Sequence, residues 1–192
     1  FRQRFDYQHP DRPGKLWKTI HPDDSFFEYD YDAAGNISRV TDPAGKITTY
    51  THDLFNRPVS MVQPGAVTTT YVYDGQGNLV LVVDPESHGT QYVVDDLGRT
   101  VETISPDSGT TVYTYDAAGN LVSKTDANGI ATTYTYDDEY RLTGIHYPDS
   151  AQDVTYTYDQ GTNGKGRLTG MSDPSGDTVY AYDGKGDLIT ET

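Results

Sequence analysis

The groups able to do chemistry in this chain are mostly aspartates, gathered in short clusters with glycine, proline and asparagine. Asp107-Ser108-Gly109 has the triplet that surrounds an aspartic-protease carboxylate. That chemistry needs two carboxylates sharing one proton, and the chain has no second triplet. The Asp/Asn/Gly clusters also invite Ca²⁺. An EF-hand loop needs oxygen ligands at fixed positions and a distal glutamate, and no stretch has that order. The glycine-rich Ca²⁺ nonapeptide is missing too, which leaves weak surface calcium as the most that is expected. His9, His21, His52, His88 and His146 lack the spacing of metal ligands. Gly75-Gln76-Gly77 lacks the helix that phosphate binding needs. No catalytic residue, cofactor or metal centre is therefore expected, and the chain reads as non-enzymatic.

These clusters belong to a repeat. The aspartates Asp32, Asp53, Asp74, Asp95, Asp116 and Asp137 follow one another at steps of 21 residues, and Asp159 and Asp183 follow at 22 and 24. A worn first copy carries Phe5, Tyr7 and Gln8 in the equivalent places. Each copy reads as strand, turn, strand, turn. The first strand ends in an aromatic pair two residues apart, which puts both rings on one face. The motif residues are Tyr31, Asp32 and Gly35; Tyr71, Tyr73, Asp74 and Gly77; and Tyr113, Tyr115, Asp116 and Gly119. They continue as Tyr134, Tyr136 and Asp137; Tyr156, Tyr158 and Asp159; and Tyr180, Tyr182 and Asp183. Two copies vary, with Tyr50/His52 and Tyr92/Val94.

Aspartate first and glycine fourth suit a type I turn, where the carboxylate accepts backbone N–H bonds and glycine takes positive φ. The second turn places proline second, as in Asp42-Pro43-Ala44-Gly45 and Asp173-Pro174-Ser175-Gly176. Leu142 and Ile145, or Leu168 and Met171, are three apart rather than two, so a bulge is expected where the second strand starts. Short turns require antiparallel neighbours. The fold expected is all-β: tandem antiparallel hairpins of period about 21, adding to one long sheet that twist makes strongly curved or spiral. Residues 1–192 form a single array, with the worn copy over about 1–25 and the marked copies over about 26–192.

Composition agrees. Only 34% of residues are apolar, yet 17 are tyrosine, and tyrosine supplies apolar area while keeping a hydroxyl for water. The net charge of −15 argues against nucleic acid or an anionic membrane. It follows from turn aspartates repeated many times. With no cysteine, disulfides and thiolate metal sites are excluded. No apolar run approaches the roughly 20 residues that span a bilayer.

Tyr113-Thr114-Tyr115-Asp116-Ala117-Ala118-Gly119-Asn120-Leu121 and Tyr71-Val72-Tyr73-Asp74-Gly75-Gln76-Gly77-Asn78-Leu79 resemble the YD repeat of the Rhs family, over essentially all of the chain. Families with this repeat include bacterial polymorphic toxins, insecticidal toxin-complex components and animal teneurins. The resemblance implies a spiral sheet forming a hollow shell, which in the toxins encloses a C-terminal toxin domain. It also implies a secreted or cell-surface location. Asp42-Pro43-Ala44-Gly45 resembles the element near the self-cleavage point of Rhs cores, but there leucine follows. Here Lys46 and Asp177 follow the two copies, so turns are expected instead.

The expected role is a non-catalytic segment of such a shell, excised from a longer chain. Its expected partners are the rest of that chain, with further repeats and an enclosed toxin. The alternative is a carbohydrate- or cell-surface-binding module that uses the tyrosine stripe. Exposed edge strands over Phe1–Gln8 and Thr178–Thr192 are expected to self-associate.

Overall fold

A computed structural model describes residues 2–191; Phe1 and Thr192, the outermost residues of the two expected edges, lie outside the described residues. The chain is all-β, as expected. Among the described residues the one helical piece is a 3₁₀ turn at Ser150–Gln152, and no helix is long and apolar enough to cross a membrane. It divides into two compact units, 1–92 and 93–192.

The first unit is a run of antiparallel strands: β1 (Arg4–Asp6), β2 (Lys18–Ile20), β3 (Phe26–Tyr31), β4 (Ile37–Thr41), β5 (Ile47–His52), β6 (Pro58–Gln63), β7 (Val67–Tyr73), β8 (Leu79–Val83) and β9 (Gly89–Val94). The last two residues of β9 fall in the second unit. Each strand from β1 to β8 pairs with the one after it. The second unit continues with β10 (Thr100–Ser105), β11 (Gly109–Tyr115), β12 (Leu121–Thr125), β13 (Ala131–Tyr136), β14 (Leu142–His146), β15 (Val154–Tyr158), β16 (Leu168–Asp173), β17 (Gly176–Tyr182) and β18 (Leu188–Glu191). These too pair consecutively and antiparallel.

The expected bulge is present in the hairpins β3–β4, β5–β6, β7–β8, β11–β12, β13–β14, β15–β16 and β17–β18. In β13–β14, Thr135 faces Gly144 and Tyr136 faces Leu142, so Thr143 is the extra residue. The slip sets Leu142 against Tyr136 and Ile145 against Tyr134, which reconciles three-residue spacing with one face. The same slip sets Leu168 against Tyr158 and Met171 against Tyr156. Gly119 sits at φ 96°, where a Cβ would clash with its own backbone, so glycine is the natural closing residue there. Tyr140 occupies the matching position at φ 62°, a conformation bulky residues rarely adopt.

No hydrophobic side chain among the described residues is fully buried. In β13 the burial alternates, with Tyr134 and Tyr136 half-buried and Thr135 exposed. Cohesion therefore comes from cross-strand pairs and ladder hydrogen bonds.

Candidate functional site

The turn that follows each aromatic pair is held by its own aspartate. The Asp116 N–H donates to the Asn120 carbonyl (3.0 Å), and the Gly119 N–H donates back to the Asp116 carbonyl (3.1 Å). Asp116 Oδ1 accepts the Asn120 N–H at 2.8 Å, and Oδ2 accepts the Asn120 side-chain amide at 2.8 Å. Asp32 and Asp74 hold Asn36 and Asn78 in the same way. Where arginine replaces asparagine, its Nε donates to Oδ2 at 2.7 Å, in Arg57–Asp53, Arg99–Asp95 and Arg141–Asp137.

These bonds hold the turn carboxyls below the usual range. Asn78, Arg99 and Asn120 side chains are the main cause at Asp74, Asp95 and Asp116. At Asp53 and Asp137 burial is the largest influence and acts upward, but the hydrogen bonds and charge of Arg57 and Arg141, with the N–H groups of Phe55 and Glu139, together outweigh it. Asp159 opens the longer C-terminal turn, and its lowered pKa comes first from Arg141 of the preceding copy, which donates to it at 2.6 Å. Asp183 caps its turn through the N–H groups of Lys185 and Asp187.

The second tyrosine of each pair reaches back one copy. Its hydroxyl donates to the carbonyl of the residue just past the preceding turn. The bonds are Tyr31 to Leu16 (2.7 Å), Tyr73 to Pro58 (2.9 Å), Tyr115 to Thr100 (2.8 Å), Tyr136 to Leu121 (2.9 Å), Tyr158 to Leu142 (2.8 Å) and Tyr182 to Leu168 (2.7 Å). The sequence reading assigned these hydroxyls to water; backbone acceptors take them instead. The matching slots at His52 and Val94 hold no hydroxyl. Burial pushes up the Tyr31, Tyr136 and Tyr158 phenols. The first tyrosines, Tyr71, Tyr113, Tyr134 and Tyr156, face Val82, Lys124, Ile145 and Met171 across the next strand, and Tyr180 faces Glu191.

Cations ride on this ladder. The groups of Arg57, Arg99 and Arg141 lie 4.3, 4.7 and 4.4 Å from the ring centres of Tyr73, Tyr115 and Tyr158. Lys15 and Arg167 stand 5.4 Å over Tyr31 and Tyr182. Asparagine occupies that place before His52, Val94 and Tyr136. Sequence reasoning missed the stacking, although the Arg/Asn alternation after each turn was its visible signal.

The chemically tempting clusters resolve into turns. Asp42 accepts the Ala44 and Lys46 N–H groups at 2.8 Å, and Asp173 accepts that of Ser175 at 2.7 Å. In Asp107-Ser108-Gly109 the Asp107 N–H donates to Ser105 Oγ at 3.3 Å, and Gly109 takes φ 73°. One grouping escaped the sequence reading. Asp84, Glu86 and His88 each offer one ligand atom, all within 4.8 Å of one another, so a divalent cation could be held there. The turn at Pro85 folds together residues that a strand would space apart.

Two hollows lie on the tyrosine face of the first unit. One, of about 540 Å³, is lined by Phe27, Tyr50, Asp42, Lys46 and Gln63 among others. The second, of about 270 Å³, is lined by Ile37, Val40, Tyr50, His52, Pro58 and Tyr71.

Comparison with known proteins follows the same lines. The family profile described as RHS Repeat matches residues 31–68, 94–129, 115–152 and 163–192, more than half of the chain. No curated protein sequence matches the chain. Among solved structures, the crystal structure of TcdB2-TccC3 is 20% identical with a TM-score of 0.67, and covers 98% of this chain. TcdB2-TccC3 without its hypervariable C-terminal region is 19% identical with a TM-score of 0.68, over 98%. The Photorhabdus luminescens Tc holotoxin pore is 19% identical with a TM-score of 0.66, over 97%. At such identity the likeness is one of fold. The chain spans 11–12% of the length of these structures.

Proposed function

The chain belongs to the RHS repeat family, and from that premise we propose that it is a non-catalytic segment of a larger β-shell. The shell encloses a toxin domain or presents a surface in an exported protein. Residues 1–192 act in it as one array of repeats, in which the twenty motif residues set the architecture. The observation that carries this reading is the tyrosine-to-carbonyl bond repeated at six copies. It ties six of the eight marked copies to the one before them, so the unit is made to be extended rather than closed on itself. The repeat-motif aspartates are taken up by turn hydrogen bonds, as at Asp74 and Asp116, which supports a structural role over an enzymatic one. The fold shared with Tc toxin structures supports the remainder of the parent chain as partner, and secretion or the cell surface as location.

The test is limited proteolysis of the full parent protein. A C-terminal region that resists protease in the intact protein, and is cut once the tyrosine hydroxyls are removed by Phe substitution, supports enclosure. A parent with few further repeats and no C-terminal variable region sinks it.

A second reading is carbohydrate binding. It is favoured by the 540 Å³ hollow, where Phe27 and Tyr50 rings stand beside Asp42, Lys46 and Gln63, a pairing of stacking surface with polar groups. A glycan array with no signal from the intact chain excludes it.

A further inference from the structure

We propose that the hollow beside His52 binds a single neutral phenolic ring. It lies on β4 to β7 of the first unit, lined by Ile37, Val40, Tyr50, His52, Pro58 and Tyr71. The copies of this same chain indicate the occupant. In the copy ending in Tyr136, the phenol crosses to β12 and its hydroxyl donates a hydrogen bond to the Leu121 carbonyl at 2.9 Å. Ile37 matches Leu121, and each faces the second aromatic of its own hairpin, Tyr31 or Tyr115. At the matching slot stands His52, whose imidazole is shorter and carries no hydroxyl. Its Nδ1 is buried without a hydrogen-bond partner and lies 3.6 Å from Asp32 Oδ2, with 12% of the side chain exposed. The histidine thus fills the slot in part and does not reproduce the tyrosine's bond.

Size and charge narrow the ligand class. About 270 Å³ is at the small end of ligand cavities and suits one ring rather than a fused system or a disaccharide. The lining is aromatic and aliphatic apart from His52, so a ring is accepted against Val40, Tyr50, Pro58 and Tyr71. A ring hydroxyl can serve the Ile37 carbonyl as Tyr136 serves that of Leu121. The nearby Asp32 carboxylate and the net charge of −15 disfavour a carboxylated phenol.

The experiment is an NMR titration of the ¹⁵N-labelled chain with p-cresol, the tyrosine side chain as a free molecule. Toluene and 4-hydroxybenzoate serve as comparators. Saturable shifts at Ile37 and His52 are expected, with a Kd on the order of 1 mM for so small a ligand. Toluene should bind about 3- to 10-fold more weakly, for want of one hydrogen bond, and 4-hydroxybenzoate more weakly than p-cresol. His52→Tyr should abolish the shifts by filling the hollow from within. Tyr136→His should create a second site at Leu121. N-acetyl-tyrosinamide binding as well as p-cresol identifies a tyrosine residue of a polypeptide as an acceptable source; p-cresol binding alone identifies a free phenol. The proposal is overturned by any of three results: no saturable shift up to about 10 mM, toluene equal to p-cresol, or binding unchanged in a folded His52→Tyr chain.

Discussion

Two hairpins of this protein form a matched pair. The slot at Tyr136 follows Asn120 and Leu121; the slot at His52 follows Asn36 and Ile37. Both preceding turns are capped by an aspartate that takes the asparagine N–H and side-chain amide. Both hairpins carry the same one-residue slip, at Thr135/Tyr136 and at Thr51/His52. They part at the second aromatic position. Tyr136 reaches the carbonyl of the copy before it, whereas His52 ends short, with an unpartnered Nδ1 and a hollow beside it. Turn chemistry thus shapes each copy, while the second tyrosine joins copies to one another. The first can persist where the second is lost.

Acid tests what the two hairpins share, and its effect should be the largest. The turn carboxyls Asp32, Asp74, Asp95, Asp116 and Asp183 are all held below their usual range by hydrogen bonds to the charged form. A folded pKa below the unfolded one means that the unfolded chain takes up protons first. The stabilisation is therefore complete above the unfolded value of about 3.9 and is lost as pH falls through the folded values. Urea midpoints followed by circular dichroism should stay nearly level down to about pH 5 and fall steeply between about pH 4 and pH 2. A flat profile over that interval would show that the carboxylates do not hold the turns.

The shared part was also the legible part. Aspartate at the first turn position and glycine at the fourth have local reasons to be there, so Asp116 and Gly119 could be placed from spacing alone. The three-residue interval from Leu142 to Ile145 announced the bulge, since a strand alternates in twos. The tie between copies was not readable in this way. The Tyr136 acceptor is a backbone carbonyl, which has no residue type, and it lies fifteen positions away. Nothing about Leu121 marks its carbonyl as the one chosen. The Arg57–Tyr73 stack likewise joins residues sixteen apart, and only the superposed copies show that a cation in one copy implies tyrosine in the next. Asp84, Glu86 and His88 converge through a turn, a geometry that ligand spacing rules for helices and loops do not describe.

Exchanging the side chains that distinguish the two hairpins should have the next largest effect. Tyr136→Phe keeps the ring and removes the hydroxyl, leaving the Leu121 carbonyl without its donor, at a cost of about 1 kcal/mol. His52→Tyr should do the reverse and stabilise by about 1 kcal/mol as the new hydroxyl meets the Ile37 carbonyl. Urea denaturation gives both values. Hydrogen exchange at β12 and β4 places them, because repeat arrays respond mainly at nearest neighbours. Equal stability of Tyr136→Phe and the parent chain would mean that water replaces the bond, and the difference between the hairpins would then be one of shape alone.

The smallest effect should come from the cation above the ring. Arg99 stands 4.7 Å over Tyr115 while its Nε holds Asp95 at 2.7 Å. Arg99→Asn converts this copy into the kind that precedes Tyr136, since asparagine can still cap the aspartate as Asn120 does for Asp116. What is lost is the stack, worth about 0.5–1 kcal/mol at a partly exposed site. Asn120→Arg should add a comparable or smaller amount above Tyr136. If the two changes are of opposite sign and each disappears in a background lacking the facing tyrosine ring, the cation and the ring act as a pair across copies. Should Arg99→Asn cost the same whether or not Tyr115 is present, the arginine serves only its own turn, and its recurrence before tyrosine has another origin.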